Sequence, residues 1–147
     1  MERRFVLEEH ERHRIGRALG EWLGTRQEII FAYLFGSFAL DPSFRDVDVG
    51  VYVRGVGPEE AFRYGLSLEA ALERDFPFPI DVTVLNYAPV PLCHSASDGK
   101  LLFSRDEGLR LAWVERTWDL YLDMVYFLRR SLWDLLSAAP AVEEPPA

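Results

Sequence analysis

A chain of 147 residues is long enough for one domain with a single buried core, and 49% hydrophobic with 14% aromatic residues excludes disorder throughout. The net charge of -8 excludes a general nucleic-acid binder, which needs a basic surface to neutralise phosphates, and suits a basic partner instead. Cys93 is the only cysteine, which leaves no internal disulfide and no thiolate metal cluster. The longest apolar runs, such as Ile29 to Phe35, are too short to span a bilayer, and the charged start Met1-Glu2-Arg3-Arg4 is not a signal-peptide core. A cytoplasmic protein is expected.

In chain order, residues from about Phe5 to Gly24 predict an amphipathic helix, strongest in its second half, with Ile15, Ala18, Leu19, Trp22 and Leu23 on its apolar side. Glu28 to Phe35 is a continuous apolar run, the pattern of a buried strand. Asp46 to Val53 alternates valines with polar or small residues, a second strand. Pro58 opens a helix to about Arg74, with Glu59 and Glu60 at its positive end. Pro77 and Pro79 precede a third strand, Ile80 to Leu85. A short helix after Pro91, a turn at Asp98-Gly99 and an extended piece at Leu101 to Phe103 follow. Asp106 to about Ser137 reads as one long helix, and the Pro- and Glu-rich tail 138–147 as disordered beyond a single domain at 1–137.

Connection lengths place these elements. The link from Ser37 to Asp46 is too short for a parallel crossover, so the first two strands are antiparallel. The link from Val53 to Ile80 holds a helix and allows a right-handed crossover, which makes the second and third strands parallel. Gly36-Ser37, Asp46, Asp48 and Asp81 then converge at one sheet edge. A turn with no Cβ lets a phosphate approach the backbone closely, and Asp-x-Asp on a strand points two carboxylates to one face, where they suit hard divalent cations. A phosphate cradle beside clustered carboxylates is the chemistry of nucleotidyl transfer.

Gly-Ser, then Asp-x-Asp, then an Asp on the next parallel strand resembles the DNA polymerase β-type nucleotidyltransferase superfamily. More narrowly, the chain is similar to the minimal nucleotidyltransferases that serve as MntA-like antitoxins in HEPN–MNT toxin–antitoxin pairs. Ile80 to Asn86, Asp98 to Asp106 and Tyr121-Leu122-Asp123 extend the likeness beyond the opening motif. The resemblance implies an α/β fold with a small, palm-like mixed sheet flanked by helices. It also implies a pair of Mg²⁺ ions, ATP as donor, and as acceptor a tyrosine hydroxyl of the cognate HEPN ribonuclease toxin. Carried over, Gly36 and Ser37 hold the triphosphate, Asp46 and Asp48 bind the metal pair, and Asp81 completes the acceptor-side metal site and helps deprotonate the hydroxyl.

The chain also departs from that pattern. Leu40-Asp41 stands where an arginine and a glycine are usual, and Arg45 where a serine often precedes the carboxylate pair. Loss of a basic residue and gain of an acidic one lower the expected nucleotide affinity, and Arg45 is expected to compensate as a nucleotide-binding residue from the other side. Two alternatives stand beside the adenylyltransferase: an antitoxin of the same fold that neutralises by binding alone, and a nucleotidyltransferase acting on a small molecule.

Other candidates read more plainly. Cys93-His94 lacks partners at zinc spacing, so a packed thiol and a structural imidazole are expected. His10 and His13 belong to a charged helix face, and Lys100 and Arg105 to a solvated turn. The last helix has two apolar stripes, one through Leu109, Trp113, Leu120, Met124, Phe127 and Leu135, the other through Val114, Trp118, Tyr121, Val125, Leu128 and Leu132. Such a helix is buried on two sides. One side covers the sheet; the other meets a partner or a second copy, as a homo-oligomer contact, or else packs beneath the N-terminal helix.

Overall fold

The computed structural model describes residues 4–41 and 43–138, so the expected disordered tail lies, apart from Ala138, outside the described residues. In chain order the elements are β1 (Phe5–Val6), α1 (Glu9–Gly24), β2 (Ile29–Phe35), α2 (Ser37–Leu40), β3 (Ser43–Phe44), β4 (Val47–Val53), α3 (Pro58–Asp75), β5 (Ile80–Val84), α4 (Val90–Ser97), β6 (Lys100–Ser104) and α5 (Glu107–Ser137). Four strands form a mixed sheet in the order β5-β4-β2-β6. β2 runs antiparallel to β4, and β4 parallel to β5, as the connection lengths require, and β2 also pairs antiparallel with β6.

The alternation of β4 sorts its side chains between two layers. Val47, Val49, Val51 and Val53 join Ile80 and pack against Leu19 and Leu23 of α1 and Leu68 and Leu72 of α3. On the opposite face, Phe31, Tyr33 and Phe35 meet Leu85, Ala96 of α4, and Leu109 and Trp113 of α5. Phe31 stacks on Tyr52 at 5.0 Å between centroids and lies 5.2 Å from Trp113. α5 therefore packs on the sheet face opposite α1. The alternative that it lies beneath the N-terminal helix is corrected: the odd-numbered valines of β4 already fill that face with α1 and α3.

Helix ends follow their sequence signals. Pro58 occupies the first turn of α3, and the Glu60 carboxylate accepts the Gly57 N–H at 3.4 Å. Asp106 caps α5, its Oδ1 accepting the Leu109 N–H at 3.0 Å.

The first expected helix begins later than its apolar pattern indicates. Phe5–Val6 instead pairs with β3 as a two-stranded ribbon, Phe5 opposite Phe44. Phe5 stacks on Phe44 at 5.6 Å and meets Phe78 edge-on at 6.0 Å, while Arg4 donates to the Ser43 hydroxyl and carbonyl. An aromatic cluster formed by residues far apart in sequence outweighs local helix preference there. Among the described residues, no helix is long and apolar enough to cross a membrane.

Candidate active site

β2 ends at Phe35, directly opposite Asp48 of β4, and Asp48 lies directly opposite Asp81 of β5. The register thus sets the Gly36 turn and two carboxylates in a row across three neighbouring strands. Asp46, on the bend before β4, joins them, and one oxygen from each of Asp46, Asp48 and Asp81 falls within 4.8 Å of the others. Gly36 has φ 75°, a conformation that favours glycine, and a Cβ built there would overlap the Asp48 carboxylate, standing 3.0 Å from its Cγ. Ser37 follows as the first residue of α2, whose turn closes through the Asp41 N–H to the Ser37 carbonyl at 2.7 Å.

So dense a cluster alters proton affinity. Asp48 is raised from 3.8 to about 6, first by burial and then by the Asp46 charge, with Arg45 pulling the other way. Asp81 is also raised to about 6, by burial, by a hydrogen bond with Asp46, and by the charges of Asp46, Asp48 and Glu69. Three carboxylates this close need protons or cations between them. Their hard oxygen donors suit Mg²⁺, and the missing Cβ at Gly36 lets the Asp48 carboxylate lie against the turn, so the residues fit a divalent ion held beside that backbone.

The structure brings together Gly36, Asp46, Asp48 and Asp81, with Ser37 adjoining the turn. Arg45 adjoins them on an open groove of about 660 Å³ shared with Phe5, Asp46, Glu73 and residues 76–79. Lys100 pairs with Leu34 of β2 and lines a different cleft with Arg12, His13, Phe38 and Asp41. Arg105 corrects the solvated-turn expectation. Its guanidinium donates to the carbonyls of Ile29 (2.9 Å), Gly24 and Arg26 (3.3 Å), tying the end of β6 to the far end of β2. Cys93 is buried with Sγ 3.5 Å from the Ala88 carbonyl, and burial pushes its thiol up. His94 stacks flat on Tyr121 at 3.6 Å. Both are packing residues, as expected.

Two residues near the site escaped the sequence reading. Glu73 and Glu69, one turn apart on α3, accept the N–H groups of Ile80 (3.3 Å) and Val82 (2.8 Å), the neighbours of Asp81 on the open edge of the sheet. Their four-residue spacing was visible, but its meaning depends on β5 being an edge strand. Gly99 was read only as a turn. A Cβ there would stand 2.9 Å from Phe35 Cβ and overlap the Leu34 carbonyl, so Gly99 lets β6 start close beside the strand that carries the Gly36 turn.

A mixed sheet with helices on both faces and clustered carboxylates at one edge defines the nucleotidyltransferase class of α/β fold. The chain belongs to the polymerase β nucleotidyltransferase family, whose profile, "Polymerase beta, Nucleotidyltransferase", matches residues 18–108. Among solved structures, it is similar to a chain of the tri-AMPylated Shewanella oneidensis HEPN toxin in complex with MNT antitoxin. That likeness has 17% identity and a TM-score of 0.59, covering 84% of this chain and 98% of the other. A toxin–antitoxin structure with AMP-PNP matches at 18% identity and TM-score 0.59, covering 82% and 96%. The toxin–antitoxin MntA–HepT matches at 16% and 0.57, covering 88% and 99%. No curated protein sequence matches the chain.

Proposed function

We propose that this chain is a cytoplasmic protein adenylyltransferase. It transfers AMP from ATP to a hydroxyl, a tyrosine, of a cognate HEPN ribonuclease toxin, and thereby acts as its antitoxin. The observation that carries the reading is the convergence of Asp46, Asp48 and Asp81 within 4.8 Å beside the Cβ-less Gly36 turn. Similarity to toxin–antitoxin structures, one described with an AMPylated toxin and one with AMP-PNP, supports the choice of substrates.

The turn at Gly36-Ser37 offers backbone N–H groups to the triphosphate, and Arg45 adds positive charge from the other side of the carboxylates. Asp46, Asp48 and Asp81 would hold a pair of Mg²⁺ ions, which supply Lewis-acid activation of the hydroxyl and stabilise the leaving pyrophosphate. Asp81, on the strand farthest from Gly36, faces the acceptor side and helps take the hydroxyl proton. The acceptor oxygen bonds to the α-phosphorus as the bond from that phosphorus to the bridging oxygen breaks, and pyrophosphate leaves. Positioning and electrostatics do most of this work.

One observation favours a second reading, neutralisation by binding. Asp41 follows α2, the short helix that begins at Ser37, and its exposed side chain adds an acidic group to that segment. The test mixes purified protein, ATP, Mg²⁺ and the product of the adjacent gene, then takes the partner's intact mass. Added AMP, lost in Asp46→Ala/Asp48→Ala, is the expected result. A stable complex with no added mass selects the binding antitoxin.

A further inference from the structure

The long last helix carries a second feature. Val114, Trp118 and Tyr121, then Val125, Leu128 and Leu132, recur along α5 at alternating spacings of four and three residues, and Leu135, counted with the other stripe in the sequence, continues them, the repeat of a helix that packs along another helix. Over the first half a helix already fills this seam: His94 of α4 stacks on Tyr121 and meets Trp118 edge-on at 4.4 Å. But α4 has 8 residues, about 12 Å, whereas α5 has 31, about 46 Å. Past Tyr121 the spacing continues unchanged, yet Leu128, Leu132 and Leu135 are 55%, 58% and 75% exposed.

We infer that the second half of this seam receives a helix of the protein acceptor, laid end-on beyond α4. The partner's identity rests on the adenylyltransferase reading; the helical character of the contact rests on the seam. Leu122 and Leu136 widen the apolar strip. Several side chains this exposed offer on the order of the several hundred Å² per partner that a stable interface buries. Arg129 is the one charged residue in the positions flanking the seam between Leu122 and Leu136, so the incoming helix presents a carboxylate there. A second copy fits less well. The antiparallel pairing that sets Leu128 against Leu132 brings the two Arg129 residues to the same edge, a like-charge contact.

The test uses the full chain and the purified product of the adjacent gene, with affinity read by calorimetry and AMP transfer by intact mass. Leu128→Glu/Leu132→Glu should weaken Kd at least about a hundredfold and Arg129→Glu about tenfold. Tyr126→Glu, exposed and off the seam, should shift it by less than about threefold. All four positions are on the surface, and circular dichroism checks that the helix is retained. Unchanged affinity in the double variant overturns the inference, and so does failure of the parent proteins to associate. A chain that sediments alone as a dimer, dissolved by the double variant, also overturns it in favour of a second copy. A complex that depends on the seam but carries no AMP sustains the docking surface while overturning the adenylyltransferase reading.

Discussion

The Asp48 carboxylate occupies the space that a side chain on Gly36 would need. Gly36 follows its strand at φ 75° and ψ -157°, and its missing Cβ is what lets the turn close over the second carboxylate of the cluster. Gly36→Ala therefore meets two penalties, a backbone region essentially reserved for glycine and a collision with Asp48. A loss of about 1–3 kcal/mol is expected from the backbone term alone. Urea unfolding measures that loss, and ATP titration should show that binding fails as Asp48 is displaced. An alanine variant as stable as the parent would mean that the turn relaxes freely.

The carboxylate cluster gives the metal-free protein an unusual pH response. Asp48 and Asp81 sit at about 6 in the fold, above the ordinary 3.8. Because these values are raised, their contribution to stability is complete below about pH 4 and is lost as pH rises through about 6. Asp48→Asn, fixed in the neutral form, should thus be more stable than the parent near pH 7 without metal, with the gap closing towards pH 4. Mg²⁺ should reverse the order by stabilising the parent selectively. Thermal melts in chelator and in Mg²⁺ read both effects; a gap independent of pH would rule out charge crowding as its source.

This cluster was legible because it needs only local spacing and the direction of each connection. The valine alternation of β4 and the helix between Val53 and Ile80 fix both. The β1–β3 ribbon was not legible, because two-residue strands show no periodicity and the Phe5–Phe44 contact joins residues far apart in sequence. The edge-strand carboxylates were hidden for a related reason. Glu69 and Glu73 look like solvated helix residues until the sheet order leaves the N–H groups of β5 facing α3.

That placement makes Glu69 testable. Its carboxylate satisfies the Val82 N–H, next to Asp81, on an edge with no further strand among the described residues. Glu69→Ala should cost about 1–2 kcal/mol, while Glu69→Gln, which keeps an acceptor oxygen, should recover most of it. Denaturant midpoints of the two variants decide the matter. Equal losses would show that charge, not the hydrogen bond, holds α3 on β5.

Arg105 separates stability from chemistry. Its guanidinium reaches the carbonyls of Gly24, Arg26 and Ile29, and Ile30 accepts its backbone N–H at 2.7 Å, all at the end of β2 opposite Gly36. No other described contact joins the C-terminus of α1, the entry to β2 and the exit of β6 through one side chain. Arg105→Ala should lower stability by about 1–2 kcal/mol, since hydrogen bonds to charged groups exceed neutral ones but these are partly exposed to water. Arg105→Lys should rescue little, because one ammonium lacks the planar fork that spans separate carbonyls. ATP and Mg²⁺ affinities, measured well below the melting temperature, should stay within about twofold of the parent, because the seven-residue strand sets the contact about 20 Å from the carboxylates. A selective loss of nucleotide affinity with unchanged stability would instead return Arg105 to the phosphate site.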